Sequence, residues 1–438
     1  MKQRKILKIK KNFKKNISLP GSKSITNRDF VLASLAKGKS ILRDIGLSDD
    51  SDRMREALST LGIKIEKISN QDFEIYGRGG DFDLGEKKIY LGGSGTSTRF
   101  LLALSVLREG KTILDGNESL RARPQRDLLD AIDQLGLKVK SKNDSYLPIE
   151  IDSLGLDSIT QNKIKMRGDI SSQYFTALMQ IAPILANGLE IEVEGDLVSK
   201  PYIDITINEM SKFGVKVENL DYKKFIISNQ KYKPQDLKIE GDASAASYFL
   251  ALATIHGGEV KINNLGKSSV QGDLGFYRVC EKLGARVKIQ NNSLEIKGPV
   301  DGKLKELNEI DMEDIPDTAQ TLMTIASFVP GGVKIRGIQN LRFKECDRIN
   351  APATELRKLG VEVETGDDYI RISEKQDFSP EYSGLTLENI SIDTYDDHRM
   401  AMSFAVLGTK IGGFSINYPD CVNKTFPAFW EELARFYE

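Results

Sequence analysis

Leu91-Gly92-Gly93-Ser94-Gly95-Thr96 is an apolar lead-in that runs into a polar Gly/Ser turn, and the same form recurs along the chain. The other openings are Pro20-Gly21-Ser22-Lys23-Ser24, Arg167-Gly168-Asp169-Ile170-Ser171-Ser172-Gln173, Glu240-Gly241-Asp242-Ala243-Ser244-Ala245-Ala246, Asp314-Ile315-Pro316-Asp317-Thr318 and Tyr395-Asp396-Asp397-His398-Arg399. Each precedes a helical stretch, and they lie roughly 70 to 80 residues apart, a longer period than that of ordinary solenoids. A second helical stretch then stops at glycine: Asp52–Leu61-Gly62, Arg126–Leu135-Gly136, Tyr202–Phe213-Gly214, Asp273–Leu283-Gly284 and Arg348–Leu359-Gly360. Beyond each glycine comes an alternating segment: Ile63–Glu66, Leu137–Lys140, Val215–Glu218, Ala285–Lys288 and Val361–Glu364. Glycine suits the left-handed residue that ends a helix, and alternation suits a strand with one wet face. The pattern predicts an α/β (α+β) chain of β-α-β-α-β-β units, the last cut short by a helix over Ala428–Tyr437.

The first helix of each unit is the more apolar. Arg99–Leu107, Tyr174–Leu185 and Ala319–Val329 are apolar nearly all round, which predicts burial. Core packing accounts for those apolar residues but not for the polar starts of the helices. First-turn N–H groups lack intrahelical partners and carry partial positive charge, so several such ends together attract anions. Six units divided into two domains of three would gather these ends around a shared cleft.

Bulk properties narrow the classes. A chain of 438 residues is expected to form two or three domains. Its 62 basic and 63 acidic residues leave a net charge of −1, which argues against a global polyanion-binding surface. No apolar run approaches membrane-span length. Met1–Lys15 is rich in Lys but has no apolar core or cleavage site of a signal peptide, and Ile6, Leu7 and Ile9 suit a first strand. Cys280, Cys346 and Cys421 are far apart and only two histidines exist, so no metal or redox spacing arises. Reduced thiols in a cytoplasmic protein are expected.

Several segments carry chemistry, each with a plainer reading beside it. Pro20–Arg28 joins a tight turn, hydroxyls, Lys23 and, about one turn later, Arg28; it lacks the Gly-Lys-[Ser/Thr] of a nucleotide P-loop and could simply cap its helix. Gly92–Arg99 has glycines where backbone must approach something closely, or forms only a flexible turn. Arg121–Arg126 is a cationic cluster of the kind that usually faces solvent. Lys344-Glu345-Cys346-Asp347-Arg348 alternates charge as an exposed salt-bridged turn does. Asp317 and Asp397 could each be no more than helix caps, and Lys424-Thr425-Phe426-Pro427 a surface turn.

Taken together, these segments resemble the enolpyruvyl transferases over essentially the whole chain. The resemblance rests on Pro20–Arg28, Gly92–Arg99, Arg123-Pro124, Ser171-Ser172-Gln173, Ser199-Lys200-Pro201-Tyr202, Ile315-Pro316-Asp317, Lys344–Arg348, Asp397–Met402 and Lys424–Pro427, in family order. It implies a two-domain fold, residues 1–20 plus 241–438 and residues 21–240, each with three units, and an active site in the cleft between them. It implies transfer of the enolpyruvyl group of phosphoenolpyruvate to the 5-hydroxyl of shikimate 3-phosphate, without metal or organic cofactor, by a monomer that binds neither nucleic acid nor membrane. By the same resemblance Ser24, Arg28, Ser171, Ser172, Ser199, Tyr202, Asn340 and Lys344 hold the shikimate phosphate, Gln173 lies over the ring and Asp317 reaches the hydroxyls. Lys23, Gly95, Arg123, Arg348, Arg399 and Lys424 surround phosphoenolpyruvate, with Lys23 and Gln173 serving both substrates. Glu345 is expected to move the methylene proton and Asp317 the hydroxyl proton, assisted by Lys23 and Lys424. The chain departs from the pattern at Gly93, where many relatives have Asn, and at Phe100, where some have Pro.

Three other readings predict different residues. A sister enzyme acting on UDP-N-acetylglucosamine typically opens with Gly-Ala-Lys-Asn and usually carries a Cys before the Ala-Arg-Pro segment; Asp115–Arg121 has none. An RNA-terminal phosphate cyclase, built on related repeats, would need a catalytic His and a more basic face. A non-catalytic scaffold leaves Lys23, Asp317, Glu345, Arg348, Arg399 and Lys424 without a purpose.

Overall fold

A computed structural model of the chain describes residues 2–10, 12–137, 139–375, 377–378 and 387–438. They fall into two compact units: Gly21–Ile239, and Met1–Pro20 with Glu240–Glu438. The second crossing thus comes one residue earlier than the sequence reading placed it.

The unit Gly21–Ile239 holds three four-stranded sheets. In each, a leading strand runs parallel to its neighbour, and an antiparallel hairpin completes the sheet. Lys87–Tyr90, Glu109–Asp115, Tyr146–Leu154 and Val139–Asn143 follow this order, as do Lys163–Arg167, Leu189–Glu194, Lys224–Ile227 and Glu218–Leu220. The other unit repeats the arrangement in Lys14–Ile17, Glu259–Ile262, Leu294–Lys297 and Arg286–Ile289, and in Glu309–Asp311, Val333–Arg336, Tyr369–Ile372 and Val363–Thr365. Register keeps the apolar face inward: Ile17 lies opposite Ile262, which lies opposite Leu294, all buried.

The crossings exchange leading strands. Lys14–Ile17 precedes the first repeat in sequence but pairs with Glu259–Ile262 of the fourth. The first repeat instead receives Asp236–Lys238 beside Gly38–Arg43. The truncated sixth repeat is completed by the N-terminus, where Gln3–Lys5 pairs antiparallel with Ser415–Asn417.

The first strand was expected on Ile6, Leu7 and Ile9, and the structure corrects this: strands occupy Gln3–Lys5 and Lys14–Ile17. Ile6 and Ile9 are buried, whereas Leu7 is exposed. This segment passes the end of the helix His398–Ile411, with Ile6 N–H donating to Phe414 O (3.0 Å) and Ile9 N–H to Thr409 O (2.8 Å). The approach is so close that a Cβ at Gly408 would meet Ile6 Cγ2 at 2.6 Å.

The first helices of the repeats are Lys23–Leu35, Gly95–Leu104, Ser172–Ile181, Ala243–His256, Ala319–Ile325 and His398–Ile411, buried along nearly their whole length. Three helix ends expected further on, around Leu107, Leu185 and Val329, are short 3-10 turns instead. The second helices stop as the glycines predict, with Gly62, Gly136, Gly214, Gly284 and Gly360 all at positive φ. One starts at Arg126 as expected, and the other starts differ from the reading by a few residues. Asp49–Thr60 begins earlier because Ser48 and Ser51 form a reciprocal capping box, and Asn350–Lys358 begins after Arg348. The strand expected at Val215 starts only at Glu218, since Val215 N–H completes the preceding helix end by donating to Met210 O (3.0 Å). Lys138, within another expected strand, lies outside the described residues. Each unit buries its own hydrophobic core, and among the described residues no helix is long and apolar enough to cross a membrane.

Candidate active site

In the unit Gly21–Ile239 the candidate residues gather at helix starts. Gly21 is required by space, because a Cβ there would fall 2.1 Å from Asp44 O. Ser22 caps the helix that begins at Lys23, and the Lys23 ammonium lies 3.4 Å from the buried Asp50 carboxylate. Ser24 follows in the first turn.

Arg28 is almost wholly buried, and all three of its nitrogens hold protein oxygens. Nε donates to Thr206 Oγ1 (2.9 Å), Nη1 to Ser24 O (2.8 Å), and Nη2 to Tyr202 O (3.1 Å) and Thr176 Oγ1 (3.4 Å). Burial lowers its pKa to about 10, against the opposing pull of Tyr202, Glu209 and Asp29. Its guanidinium also lies 5.6 Å from the ring centre of Phe100, one of the two departures from the family pattern. Arg28 therefore ties three helices together and fixes the backbone of Ser24 and Tyr202.

Gly95 begins its helix beneath two guanidinium groups. A Cβ there would stand 2.7 Å from Arg99 Nη1 and 3.2 Å from Arg123 Nη1. Arg123 is buried and donates to Ser119 Oγ (3.3 Å). Arg99 donates from Nη1 to Gln173 Oε1 (2.7 Å) and from Nε to Gln125 Oε1 (3.3 Å), with its guanidinium carbon 5.6 Å from the ring centre of Tyr174. The sequence reading placed Arg99 in the motif but not among the site residues. Its signal was its place one helical turn beyond Gly95. Ser171 caps the helix carrying Ser172 and Gln173 by accepting from Gln173 N–H (3.3 Å). Ser199, at φ 55° in the left-handed region, opens the helix Lys200–Lys212 that carries Tyr202.

The other unit holds alternating charges. Asp317 accepts from Arg399 Nη2 (2.8 Å) and Arg348 Nη1 (3.2 Å), with Lys344 Nζ at 3.8 Å. Arg348 Nη2 also contacts Glu345 Oε2 at 2.7 Å, and Lys424 Nζ lies 3.1 Å from Glu345 Oε1. Beneath them the fully buried Asp397 takes Arg348 through both oxygens (2.7 and 3.2 Å) and caps the last buried helix through Arg399 N–H (2.8 Å). Asn340 is half-buried in the turn Gln339–Phe343, immediately before Lys344.

These contacts bear on the plain readings of the motif segments. The Asp317 carboxylate is turned to the arginines, accepting from Arg348 and Arg399. Lys344–Arg348 is not an exposed turn, for Arg348 is only 2% exposed. Burial alone would lower the pKa of Arg348, but Asp397, Glu345 and Asp317 outweigh it and drive it above the ordinary arginine value. Asp397 both caps and orients, a double role the sequence reading did not assign. His398 is buried, and burial followed by the charge of Arg399 drives its pKa well down, so it stays neutral. Cys346 donates to Asp397 Oδ2 (3.4 Å), and burial pushes its thiol up and out of the reactive range.

The EPSP synthase family model (3-phosphoshikimate 1-carboxyvinyltransferase) matches residues 7–433. The 3-phosphoshikimate 1-carboxyvinyltransferase of Shewanella baltica (strain OS185) is 43% identical over 423 residues, covering 95% of this chain and 96% of that protein. The enzyme of that name from Photobacterium damsela subsp. piscicida is 42% identical, covering 96% of each. The fold matches the solved EPSP synthase from Acinetobacter baumannii at a TM-score of 0.77 and 23% identity, covering 99% of this chain and 97% of that one. It also matches the enolpyruvyl transferase NikO from Streptomyces tendae at a TM-score of 0.76 and 14% identity, covering 99% and 97%. The enolpyruvyl transferase fold implied by the resemblance is thus the fold observed. With the family model spanning nearly the whole chain and relatives above 40% identity over the same length, the chain belongs to the EPSP synthase family.

Proposed function

We propose that this chain transfers the enolpyruvyl group of phosphoenolpyruvate to the 5-hydroxyl of shikimate 3-phosphate, releasing phosphate. The observation that carries the proposal is the run Lys424–Glu345–Arg348–Asp317–Arg399, which holds two carboxylates among cations. The 5-hydroxyl oxygen bonds to the central carbon of phosphoenolpyruvate as a proton reaches the methylene carbon. The tetrahedral adduct then loses that methyl proton and phosphate. Asp317, held by two arginines, takes the hydroxyl proton; Glu345, held between Lys424 and Arg348, delivers and removes the carbon proton. Lys23 and Lys424 offset the developing charge.

Arg123, Arg348, Arg399, Lys23, Lys424 and Gly95 receive phosphoenolpyruvate, whose carboxylate and phosphate match guanidinium forks. Ser24, Ser171, Ser172, Ser199, Tyr202, Asn340 and Lys344 take the shikimate phosphate, with Gln173 over the ring. Arg28 supports that phosphate chiefly through the backbone it fixes. Cys280, Cys346 and Cys421 are unpaired, in keeping with a cytoplasmic enzyme. The proposed working form is a monomer, to be checked by sedimentation.

The direct test mixes purified protein with both substrates and measures phosphate, with UDP-N-acetylglucosamine as a parallel acceptor. Release that depends on shikimate 3-phosphate supports the proposal. Release with the sugar nucleotide alone, or none from folded protein, overturns it.

A further inference from the structure

The chain enters the last buried helix through two successive residues in the left-handed region, Tyr395 at φ 53° and Asp396 at φ 55°. Asp397 N–H donates back to Thr394 O (2.8 Å), so the four residues form a tight turn with both central positions at positive φ. Gly, Asn and Asp fill such positions by preference, because the Cβ of other residues crowds the following carbonyl there. Asp396 obeys that rule. Tyr395 breaks it, and a bulky residue stays in this region only where its surroundings hold it.

The tyrosine hydroxyl provides that hold. Tyr395 is 43% exposed, yet its hydroxyl donates to Glu355 Oε1 (2.7 Å), and Glu355 is fully buried. The other oxygen of Glu355 accepts Asp393 N–H (3.0 Å) and lies 2.7 Å from Lys358 Nζ. The Asp393 carboxylate takes Asn417 Nδ2 (2.6 Å), from the strand Ser415–Asn417, and Lys358 Nζ (2.9 Å). The turn is thus pinned at its entry by Asp393, at its crest by Tyr395 and at its exit by Asp397.

Glu355 belongs to the helix Asn350–Lys358, which starts two residues beyond Arg348. Asp397 grips Arg348 through both oxygens and caps the helix His398–Ile411 through Arg399 N–H. The contacts close a ring, from Arg348 along its own helix to Glu355, across to Tyr395, and through Asp397 back to Arg348. A turn that only reversed the chain would be served better by Gly or Asn at position 395 and would need no buried carboxylate. We propose that Tyr395 and Glu355 are positioning residues: their bond holds the left-handed turn in the form that sets Asp397 against Arg348 and against the start of the helix carrying Arg399. This rests on reading Arg348 and Arg399 as ligands of phosphoenolpyruvate. Without the bond the turn relaxes toward ordinary backbone angles, Asp397 shifts, and both arginines lose their direction.

The test compares the full chain, Y395F and Y395G by steady-state kinetics at saturating shikimate 3-phosphate. Y395F keeps the ring but loses the bond, whereas Y395G loses the ring as well and adopts positive φ freely. Local packing alone predicts the greater loss for Y395G. A bond that holds a strained turn predicts the reverse order. The value of kcat/KM for phosphoenolpyruvate should fall about fivefold or more in Y395F, and distinctly less in Y395G. A smaller fall in Y395F, or a fall in Y395G that equals or exceeds it, would overturn the proposal. Cys346 reports on the same turn without substrate, since its thiol donates to Asp397 Oδ2 (3.4 Å). Maleimide labelling, mapped to Cys346 by mass spectrometry, should quicken in Y395F more than in Y395G, because a shift of Asp397 removes an anion that opposes the thiolate. Equal labelling of Y395F and the unaltered chain rejects the proposal. Absence of any turnover in the unaltered chain would instead sink the functional reading, and the labelling rates alone then decide whether the bond positions Asp397.

Discussion

At the scale of single residues, Asp317 shows how much a local reading leaves open. Its place after Pro316 at a helix start fits a cap, yet its oxygens face Arg348 and Arg399. Asp317→Asn keeps the shape and removes the charge, so phosphate release should fall about 10²- to 10⁴-fold, the range expected for a lost acid–base group. A loss smaller than tenfold would move the hydroxyl proton to another group. Gly95 gives a second prediction. An added methyl would meet Arg99 Nη1 and Arg123 Nη1, both far ends of flexible side chains, so Gly95→Ala should fold normally. It should raise KM for phosphoenolpyruvate and weaken inhibition by phosphonate analogues such as glyphosate; if both constants stay put, the space above Gly95 is not the substrate's. The glycine and Arg99 one turn beyond it were legible in the sequence, but the close approach of the Arg123 guanidinium was not, because Arg123 comes from a different segment.

At the scale of elements, charged side chains take over work that apolar packing does elsewhere. Asp397 caps one helix and grips Arg348, while Arg28 joins its own helix to Thr176 and Tyr202 on two others. Removing one partner of a buried ion pair leaves the other desolvated and unmatched. Asp397→Asn should therefore cost about 3 kcal/mol in urea unfolding and also depress kcat/KM, since Arg348 loses its orientation. Unchanged stability with lowered activity would make Asp397 purely functional. Glycine stops and alternating strands were readable because each follows from local backbone preference. The pairing of Asp236–Lys238 with Gly38–Arg43 was not, since strands so distant in sequence show no local sign of their partner.

For the whole molecule, buried titratable groups set opposing pH dependences. Burial, reinforced by Lys410 and Lys8, lowers His256 to about 3, and burial also depresses His398. Both titrate in the unfolded chain near 6.5, so their contribution is present above that value and is lost as pH falls. Asp29 behaves the opposite way: burial, then the charge of Glu209, raises it well above the usual carboxylate range. The folded state there binds the proton more tightly, so stability falls as pH rises from about 3.9. Asp29→Asn should thus stabilise the protein increasingly from mildly acid to neutral pH, by up to about 1.4 kcal/mol per pH unit. Urea midpoints that differ by the same amount at every pH would contradict this.

The sequence by itself determined the repeating unit, the buried first helices and the motif segments, because periodicity, helix caps and left-handed glycines act within a few residues. It also placed nearly every candidate side chain at a helix start. Only the tertiary structure decided which strands changed places at the crossings and that Ile6 and Ile9 lie against a helix end rather than in a sheet. It alone brought Arg99 over Gly95 and Asp397 under Arg348. Those outcomes depend on which distant segments exclude water together, and desolvation is a property of the packed molecule that no short stretch of chain carries.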